Sequence, residues 1–163
     1  MTTRRSWVRD GVIVGFIAYA AVAVFYSGFD LLASRGTLFT VNLLGQGLFK
    51  GLRDPSVLQF PVPVDQQVVF WYNAVHLVLS LAIGLFVLRM VRLAEENPSR
   101  AGLMAGLIVT GFAITVAVVG RLTEPMRALL PWWSIVVANG AATACAAAYL
   151  LRVRPGLWRR MFG

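Results

Sequence analysis

Charged residues, and acidic ones above all, are scarce in this chain. Of its 163 residues only 13% are charged, and seven Asp and Glu stand against 15 Lys and Arg. A soluble domain carries about 25% charged residues. With 58% hydrophobic residues, the chain has too little polar surface to cover itself in water, so lipid must be the solvent for much of it. The composition therefore excludes an ordinary soluble domain.

Cysteine and histidine each occur once, as Cys145 and His76. A single cysteine cannot form an internal disulfide, and a zinc site needs several further ligands. The alanine-rich surroundings of Cys145 predict a packed, inert thiol. Motifs such as HExxH, the P-loop, GxSxG and CxxC are also missing. The sequence therefore predicts no catalytic site, no metal site and no enzymatic activity.

What the chain does contain is four apolar runs, each long enough to cross a bilayer. About 20 helical residues, at a rise of roughly 1.5 Å each, span the roughly 30 Å hydrocarbon core. The basic head and the small residues around Ala21 also fit a signal peptide, but the first run is too long for one. We expect an all-α membrane protein, a single polytopic domain over 1–163, whose four transmembrane helices form a bundle. The predicted spans lie at about 11–33, 68–90, 101–120 and 131–151.

The connection at 34–67 is the one long loop. Apolar residues recur in it at helical spacing after Thr40, a candidate N-cap. Because this piece is short and carries one Lys, it predicts an amphipathic helix in the membrane interface rather than a fifth span. Three glycines weaken that helix. The prolines that follow predict an extended strap; they are Pro55, Pro61 and Pro63.

Basic residues are distributed unevenly between the two sides of the predicted bundle. Ten of the 15 Lys and Arg lie in the N-terminal head, the 89–100 turn and the C-terminal tail, and five lie at 34–67 and 121–130. The positive-inside rule then predicts cytoplasmic termini and an external 34–67 loop. Since the arginines flank apolar runs, topology and anionic lipid headgroups explain them better than nucleic acid does. We expect the lipid bilayer as a partner and no nucleic acid.

Small residues form stripes that predict how the spans pack, because lipid supplies no hydrophobic drive between helices. The short 121–130 turn makes spans three and four antiparallel neighbours, and their stripes are expected to face each other. Span one opens with a further pair, Gly11 and Gly15 in GVIVG. Such pairs fit packing within the chain and packing against a foreign subunit equally well. The two stripes are Gly102, Gly106, Thr110, Ala113, Ala117 and Gly120, and Ser134, Ala138, Ala141, Cys145 and Ala148.

Five polar residues are predicted to cluster in the outer half of the bundle: Tyr26, Asp30, Asn73, His76 and Asn139. One interpretation is that they join the helices through hydrogen bonds. The other is that His76 binds a cofactor, either the magnesium of a chlorophyll-type pigment or a haem iron as one axial ligand. A proton relay is a third. Asp30 could also pair with Arg121 near the outer interface, unless water solvates each.

A resemblance concerns the first half of the chain, from FIAYAAVAVFYSGFDLLASRGTLFTVNLLGQGLFKG to WYNAVHLVLSLAIGLFVLRMVRLAEENP. This half resembles a loose group of small bacterial inner-membrane proteins of unassigned function. Their first span ends in an aspartate, a Thr-rich amphipathic piece follows, and the next span carries a His after an aromatic residue. The resemblance implies a bacterial inner (cytoplasmic) membrane and no particular chemistry.

Two functions compete at this point. The small size, the missing catalytic motifs and the several packing faces favour a non-catalytic accessory subunit of a larger respiratory or photosynthetic membrane complex, in contact with other integral subunits. The alternative is a pigment- or haem-binding electron-transfer protein that uses His76. A small transporter has less support, because no acidic residue lies near the middle of a span and no inverted repeat is evident.

Overall fold

The computed structural model describes residues 6–52, 54 and 62–154. Helices hold 84% of them, and no strand occurs among them. Four of the helices are long and apolar enough to cross a membrane. The prediction of an all-α, multi-pass membrane bundle is therefore confirmed. The five α-helices are α1 (Trp7–Leu32), α2 (Phe39–Phe49), α3 (Gln66–Glu96), α4 (Ala101–Leu122) and α5 (Trp132–Val153).

The helices extend beyond the apolar runs that predict them. α3 continues to Glu96, so most of the predicted 89–100 turn is helical, and only Asn97 and a short 3₁₀ turn at Pro98–Arg100 connect α3 to α4. A residue before proline avoids helical backbone angles, so Pro98 ends α3 at this point. At its other end α3 is capped by Asp65, whose carboxylate accepts hydrogen bonds from the Gln67 and Val68 amides at 3.1 Å. That cap satisfies two otherwise unpaired donors.

α1 is the central helix, since it packs against both α3 and α5. Its closest approach to α3 is at Gly11 and Gly15 of the GVIVG motif, opposite Gly84. A methyl group built on Gly15 would lie 2.6 Å from the Leu81 Cα and from the Ser80 carbonyl oxygen. Small residues let membrane helices approach closely enough for backbone contact. The motif therefore serves packing within the chain.

The predicted pairing of the α4 and α5 stripes is wrong. α5 packs against α1, where Ser134 and Ala138 are fully buried, whereas Cys145, predicted to be a packed thiol, is exposed. α4 packs mainly against α3, through a buried cluster of Ala94, Ala101 and Met104. A short connection makes two helices neighbours along the chain, but close packing occurs where small residues of two helices meet at the same depth. The α4 stripe meets no partner within the described chain.

α2 is the predicted interfacial helix, but its contacts differ from the predicted ones. It begins at Phe39 with Leu38 as N-cap, so Thr40 is not the cap. Gly45 packs against Val68 of α3, and Gly47 packs against Met126. These glycines, expected to weaken the helix, let it lie close to the bundle. Of the predicted strap, Pro55 and Pro61 fall outside the described residues.

The bundle has two distinguishable ends. We call the end that carries α2 the loop end, and the opposite end, where Asp10 of α1 meets Arg154 after α5, the Asp10 end. An apolar core of Val14, Leu88, Val91 and Leu150 lies toward the Asp10 end. Tyr26, His76 and Asn139 lie between the helices toward the loop end.

Candidate functional site

A long apolar cavity of about 520 Å³ lies between α1, α3, α4 and α5. It reaches from Tyr72 and Leu44 at the loop end to Val91 and Leu150 at the Asp10 end. α4 forms one side of the cavity with Ile108, Gly111 and Phe112. Among the described residues that line the cavity none is charged. The volume is in the range of small-molecule sites, roughly 300–1,000 Å³.

Four polar side chains from three helices line the part of this cavity nearest the loop end: Tyr26, Tyr72, His76 and Asn139. Within the described residues, no hydrogen bond occupies the Tyr72 hydroxyl or either ring nitrogen of His76. Asn139 donates one bond from Nδ2 to the Ile135 carbonyl at 2.8 Å, and its Oδ1 has no partner in the described part of the chain. Polar groups in an apolar interior normally have partners. This cavity therefore offers unoccupied donors and acceptors to a ligand.

A smaller cavity of about 80 Å³ adjoins it, between α1, α2 and α3. Asp30 and Asn73 line this one and not the larger one, whereas Tyr26, Tyr72 and His76 line both. The predicted five-residue cluster is thus divided. Asn139 belongs to the large cavity alone, and His76 lies at the junction of the two.

Asn73 holds α3 to α1. The Tyr19 hydroxyl donates to Asn73 Oδ1 at 2.9 Å, and Asn73 Nδ2 donates to the Val69 carbonyl at 2.8 Å. The Tyr19 ring also packs on His76, with ring centroids 5.1 Å apart, and the Tyr72 ring lies 6.1 Å from His76 on its own helix. Two aromatic rings therefore fix the imidazole orientation. The sequence prediction omitted Tyr19 and Tyr72 from the site, although Tyr19 lies two turns before Tyr26 on one face of α1.

Asp30 is a structural residue at the loop end. It is fully buried, and it accepts hydrogen bonds from the Thr40 amide and the Thr40 hydroxyl, both at 2.7 Å. Its nearest described cation is Arg35, at 3.7 Å. The predicted pair with Arg121 is wrong, because Arg121 pairs with Glu124 at 2.5 Å. Asp30 caps the first turn of α2, where backbone amides without a partner inside the helix favour a carboxylate.

Arg35 joins the same cluster to the loop before α5. Its guanidinium donates to the Leu129 carbonyl at 2.8 Å and lies 4.6 Å from the centre of the Phe39 ring. These contacts hold α1, α2 and the 123–130 segment together. The buried carboxylate of Asp30 is tolerated because Arg35 and Thr40, close to it in sequence, supply its ion pair and its hydrogen bonds.

A second buried carboxylate, Asp10, lies at the opposite end and was missed by the sequence prediction. Arg154 donates to Asp10 at 2.9 Å, and the Tyr149 hydroxyl donates to it at 3.3 Å. Arg154 also lies 3.7 Å from Glu95 and stacks over Trp7 at 3.5 Å. The cluster joins α1, α3 and α5. The available signal was positional, since an acid at the start of span one and a base at the end of span four must lie at the same end of a four-span bundle.

The junction of α2 and α3 carries Asp65, a carboxylate outside the spans whose pKa is lowered. Lys50 donates to Asp65, and this bond, followed by the amide of Val68, holds the Asp65 pKa below its usual value. Asn42 completes the junction, because its Oδ1 accepts from the Asp65 amide at 3.0 Å and its Nδ2 donates to the Pro63 carbonyl at 3.1 Å. The predicted interfacial helix is thereby tied to the first turn of α3.

Few side chains among the described residues could ligate a metal ion or a cofactor. Among the described residues, no three His, Cys, Asp or Glu side chains come close enough together to hold a metal ion. A coordinating role would therefore depend on His76. No protein-family model matches the chain, and comparison with curated proteins and with solved structures likewise gives no match. The function has to be argued from the molecule itself.

Proposed function

We propose that this protein is a non-catalytic accessory subunit of a larger membrane complex, respiratory or photosynthetic, and that α4 contacts another integral subunit. The observation that carries the proposal is the outer face of α4. Its small residues lie on the surface of the bundle, and a methyl group built on Gly102 or Gly106 would meet nothing within 4 Å. The exposed members of this face are Gly102, Gly106, Thr110, Ala113 and Ala117.

The sequence places glycine where the chain's own packing does not use it. Glycine in the middle of a helix costs about 1 kcal/mol relative to alanine in water. Small-xxx-small faces are the common way for membrane helices to bring their backbones together. α4 also buries the smallest share of its apolar window among the four spans, 6%. A foreign transmembrane helix on this face would explain both features.

The proposed setting is the bacterial inner membrane, with both termini in the cytoplasm. The arginine distribution supports this orientation through the positive-inside rule, and the resemblance of the first half to small bacterial membrane proteins supports the compartment. The protein's proposed partners are therefore the lipid bilayer and other integral membrane subunits, with no nucleic acid.

The test is purification of the tagged protein from its native membrane in mild detergent. We expect other integral membrane proteins to co-purify with the wild-type chain and to be lost with Gly106→Leu, whose side chain would block close helix approach. Because that side chain points into open space, the isolated variant should keep its fold and thermal stability. Val118→Leu is the matched control, since it enlarges an exposed residue outside the stripe on the same helix. A lone monomer from native membranes, or equal co-purification with Gly106→Leu, would contradict the proposal.

A second candidate function is a pigment- or haem-binding electron-transfer protein that uses His76. The observation that favours it is that the imidazole lines a 520 Å³ cavity while its ring nitrogens have no hydrogen-bond partner among the described residues. A neutral imidazole can ligate the magnesium of a chlorophyll or one face of a haem iron. An absorption spectrum of native material decides between the two functions. The absence of a Soret or chlorophyll band, or a band unchanged in His76→Ala, removes this candidate.

A further inference from the structure

The large cavity is a long slot rather than a compact chamber. On α3 its lining runs from Tyr72 to Val91, which is about 28 Å at the helical rise of roughly 1.5 Å per residue. That length approaches the roughly 30 Å thickness of the hydrocarbon core. A volume of about 520 Å³ spread over this length suits an extended apolar chain that lies parallel to the helices.

Most of the polar side chains lie near one end of the slot. Thr115 and Thr143 also line it, but each hydroxyl donates to a carbonyl of its own helix, at 2.9 and 2.8 Å. The polar groups without a hydrogen bond among the described residues belong to Tyr72, His76 and Asn139, near the loop end, and to Ser80, one turn deeper on α3. His76 lies ten residues after α3 begins at Gln66, or about 15 Å along the helix. A molecule in the slot would therefore carry its polar head at that depth and its tail toward the Asp10 end.

The head group must be uncharged. None of the described lining residues carries a charge, and an ion brought out of water without a partner costs far more than a hydrogen-bonded neutral group. A phosphate head would have to give up its hydration at this depth without a cation to pair with. The Tyr72 hydroxyl, the second N–H of Asn139 Nδ2 and the imidazole N–H can each donate a hydrogen bond, so a head that carries acceptor oxygens fits them.

We propose that the cavity binds one uncharged lipid with a long apolar tail and a compact head whose carbonyl oxygens accept hydrogen bonds, the chemistry of a prenylated quinone. Tyr72 and Asn139 bind the head, and the Tyr19 and Tyr72 rings hold His76 in place beside it. α4 covers the tail through the face that carries Gly111. The inference goes beyond the accessory role, because it concerns the inner face of α4 and not its outer face.

The experiment is a titration of the purified protein in detergent micelles with a decyl-substituted benzoquinone, followed by calorimetry or thermal shift. We expect saturable binding. Gly111→Leu should weaken it about tenfold or more, because its side chain would enter space that the tail needs, and overpacking is costly. A methyl group on Gly111 meets nothing within 4 Å, so the variant should fold. Tyr72→Phe should weaken binding about fivefold, the effect of one lost hydrogen bond.

Gly106→Leu is the matched control, since it makes the same change on the outer face of the same helix. It should leave quinone binding unchanged while it removes partner subunits, whereas Gly111→Leu should do the reverse. The two proposals can therefore fail separately. Decane and phosphatidylglycerol are further probes. The inference is overturned if the quinone does not bind saturably, if Gly111→Leu binds it as well as the wild type does, if decane or phosphatidylglycerol binds equally well, or if the native protein releases a tetrapyrrole on solvent extraction.

Discussion

Gly84 is the residue on which the approach of α3 to α1 depends most directly. A methyl group at this position would lie 2.5 Å from the Gly15 amide nitrogen and 2.7 Å from the Gly15 Cα. These are backbone atoms, so a rotamer change cannot relieve the contact. We expect Gly84→Ala to lower the free energy of unfolding in mixed micelles by about 1–3 kcal/mol, the usual cost of overpacking. Gly111→Ala is the control, with no loss expected, because alanine favours a helix more than glycine does and a methyl group there meets nothing within 4 Å; equal losses in the two variants would show that contact with Gly15 is not the cause.

Arg154 is the second residue with a large expected effect. Its side chain is 15% exposed and its partner Asp10 is completely buried. Arg154→Ala would remove the 2.9 Å ion pair of that carboxylate, and breaking a buried pair costs about 3 kcal/mol or more. Denaturation of the variant in detergent measures this loss.

The comparison for Arg154 is Arg121, whose side chain is 80% exposed in its pair with Glu124. An exposed pair is worth about 1 kcal/mol or less, so Arg121→Ala should leave the unfolding curve nearly unchanged. If the two arginine variants lost the same stability, burial would not be what distinguishes the pairs.

At the scale of the helix, hydropathy predicted each span because apolar length is a property of the run itself. The first and last residues of the helices could not be predicted from hydropathy. α3 continues through charged residues to Glu96, where Arg92 and Glu96 pair at 2.6 Å within the helix, and a hydropathy pattern does not register such pairs. For α2 the pattern predicted a helix but not how it packs against the bundle. Gly45 and Gly47 allow that packing through contacts with Val68 and Met126, which are distant in sequence.

The junction of α2 and α3 should respond to pH. Because the hydrogen bond from Lys50 lowers the Asp65 pKa in the folded protein, the ionised carboxylate contributes stability above the ordinary Asp pKa of about 4, and that contribution is lost as the pH falls through the lowered value. Asp65→Asn keeps an oxygen for the cap and loses the charge. We expect its melting temperature to be below that of the wild type at pH 6 and the difference to vanish in acid.

Lys50→Met supplies the control for this junction. Because Lys50→Met lacks the ammonium group, the melting temperatures measured with Asp65 and with Asp65→Asn in this background should differ by nearly the same amount at every pH. With Lys50 in place, a difference that stays constant from pH 6 into the acid range would mean that cap geometry alone, and not the charge, accounts for the effect of Asp65.

At the scale of the whole molecule, the sequence could not predict which helices pack against each other. The prediction paired α4 with α5 because they are joined by a short turn, whereas the structure places α1 between α3 and α5. The polar residues of the candidate site were predicted from depth and helical spacing, since these depend on one helix at a time. Their division into two cavities depends on how α2 and α4 dock, and no spacing within one helix encodes that.

The orientation in the membrane is the last property that this arrangement predicts. The start of α1, the end of α5 and the 89–100 turn lie at the Asp10 end, which carries six described basic residues: Arg9, Arg89, Arg92, Arg100, Arg152 and Arg154. Together with the whole-sequence distribution of Lys and Arg, the positive-inside rule predicts that this end faces the cytoplasm. In a Cys145→Ser background, Arg127→Cys at the loop end should react with a membrane-impermeant maleimide in intact cells. Asn97→Cys at the Asp10 end should react only after the membrane is opened. Labelling of Asn97→Cys in intact cells, with Arg127→Cys protected, would contradict this orientation.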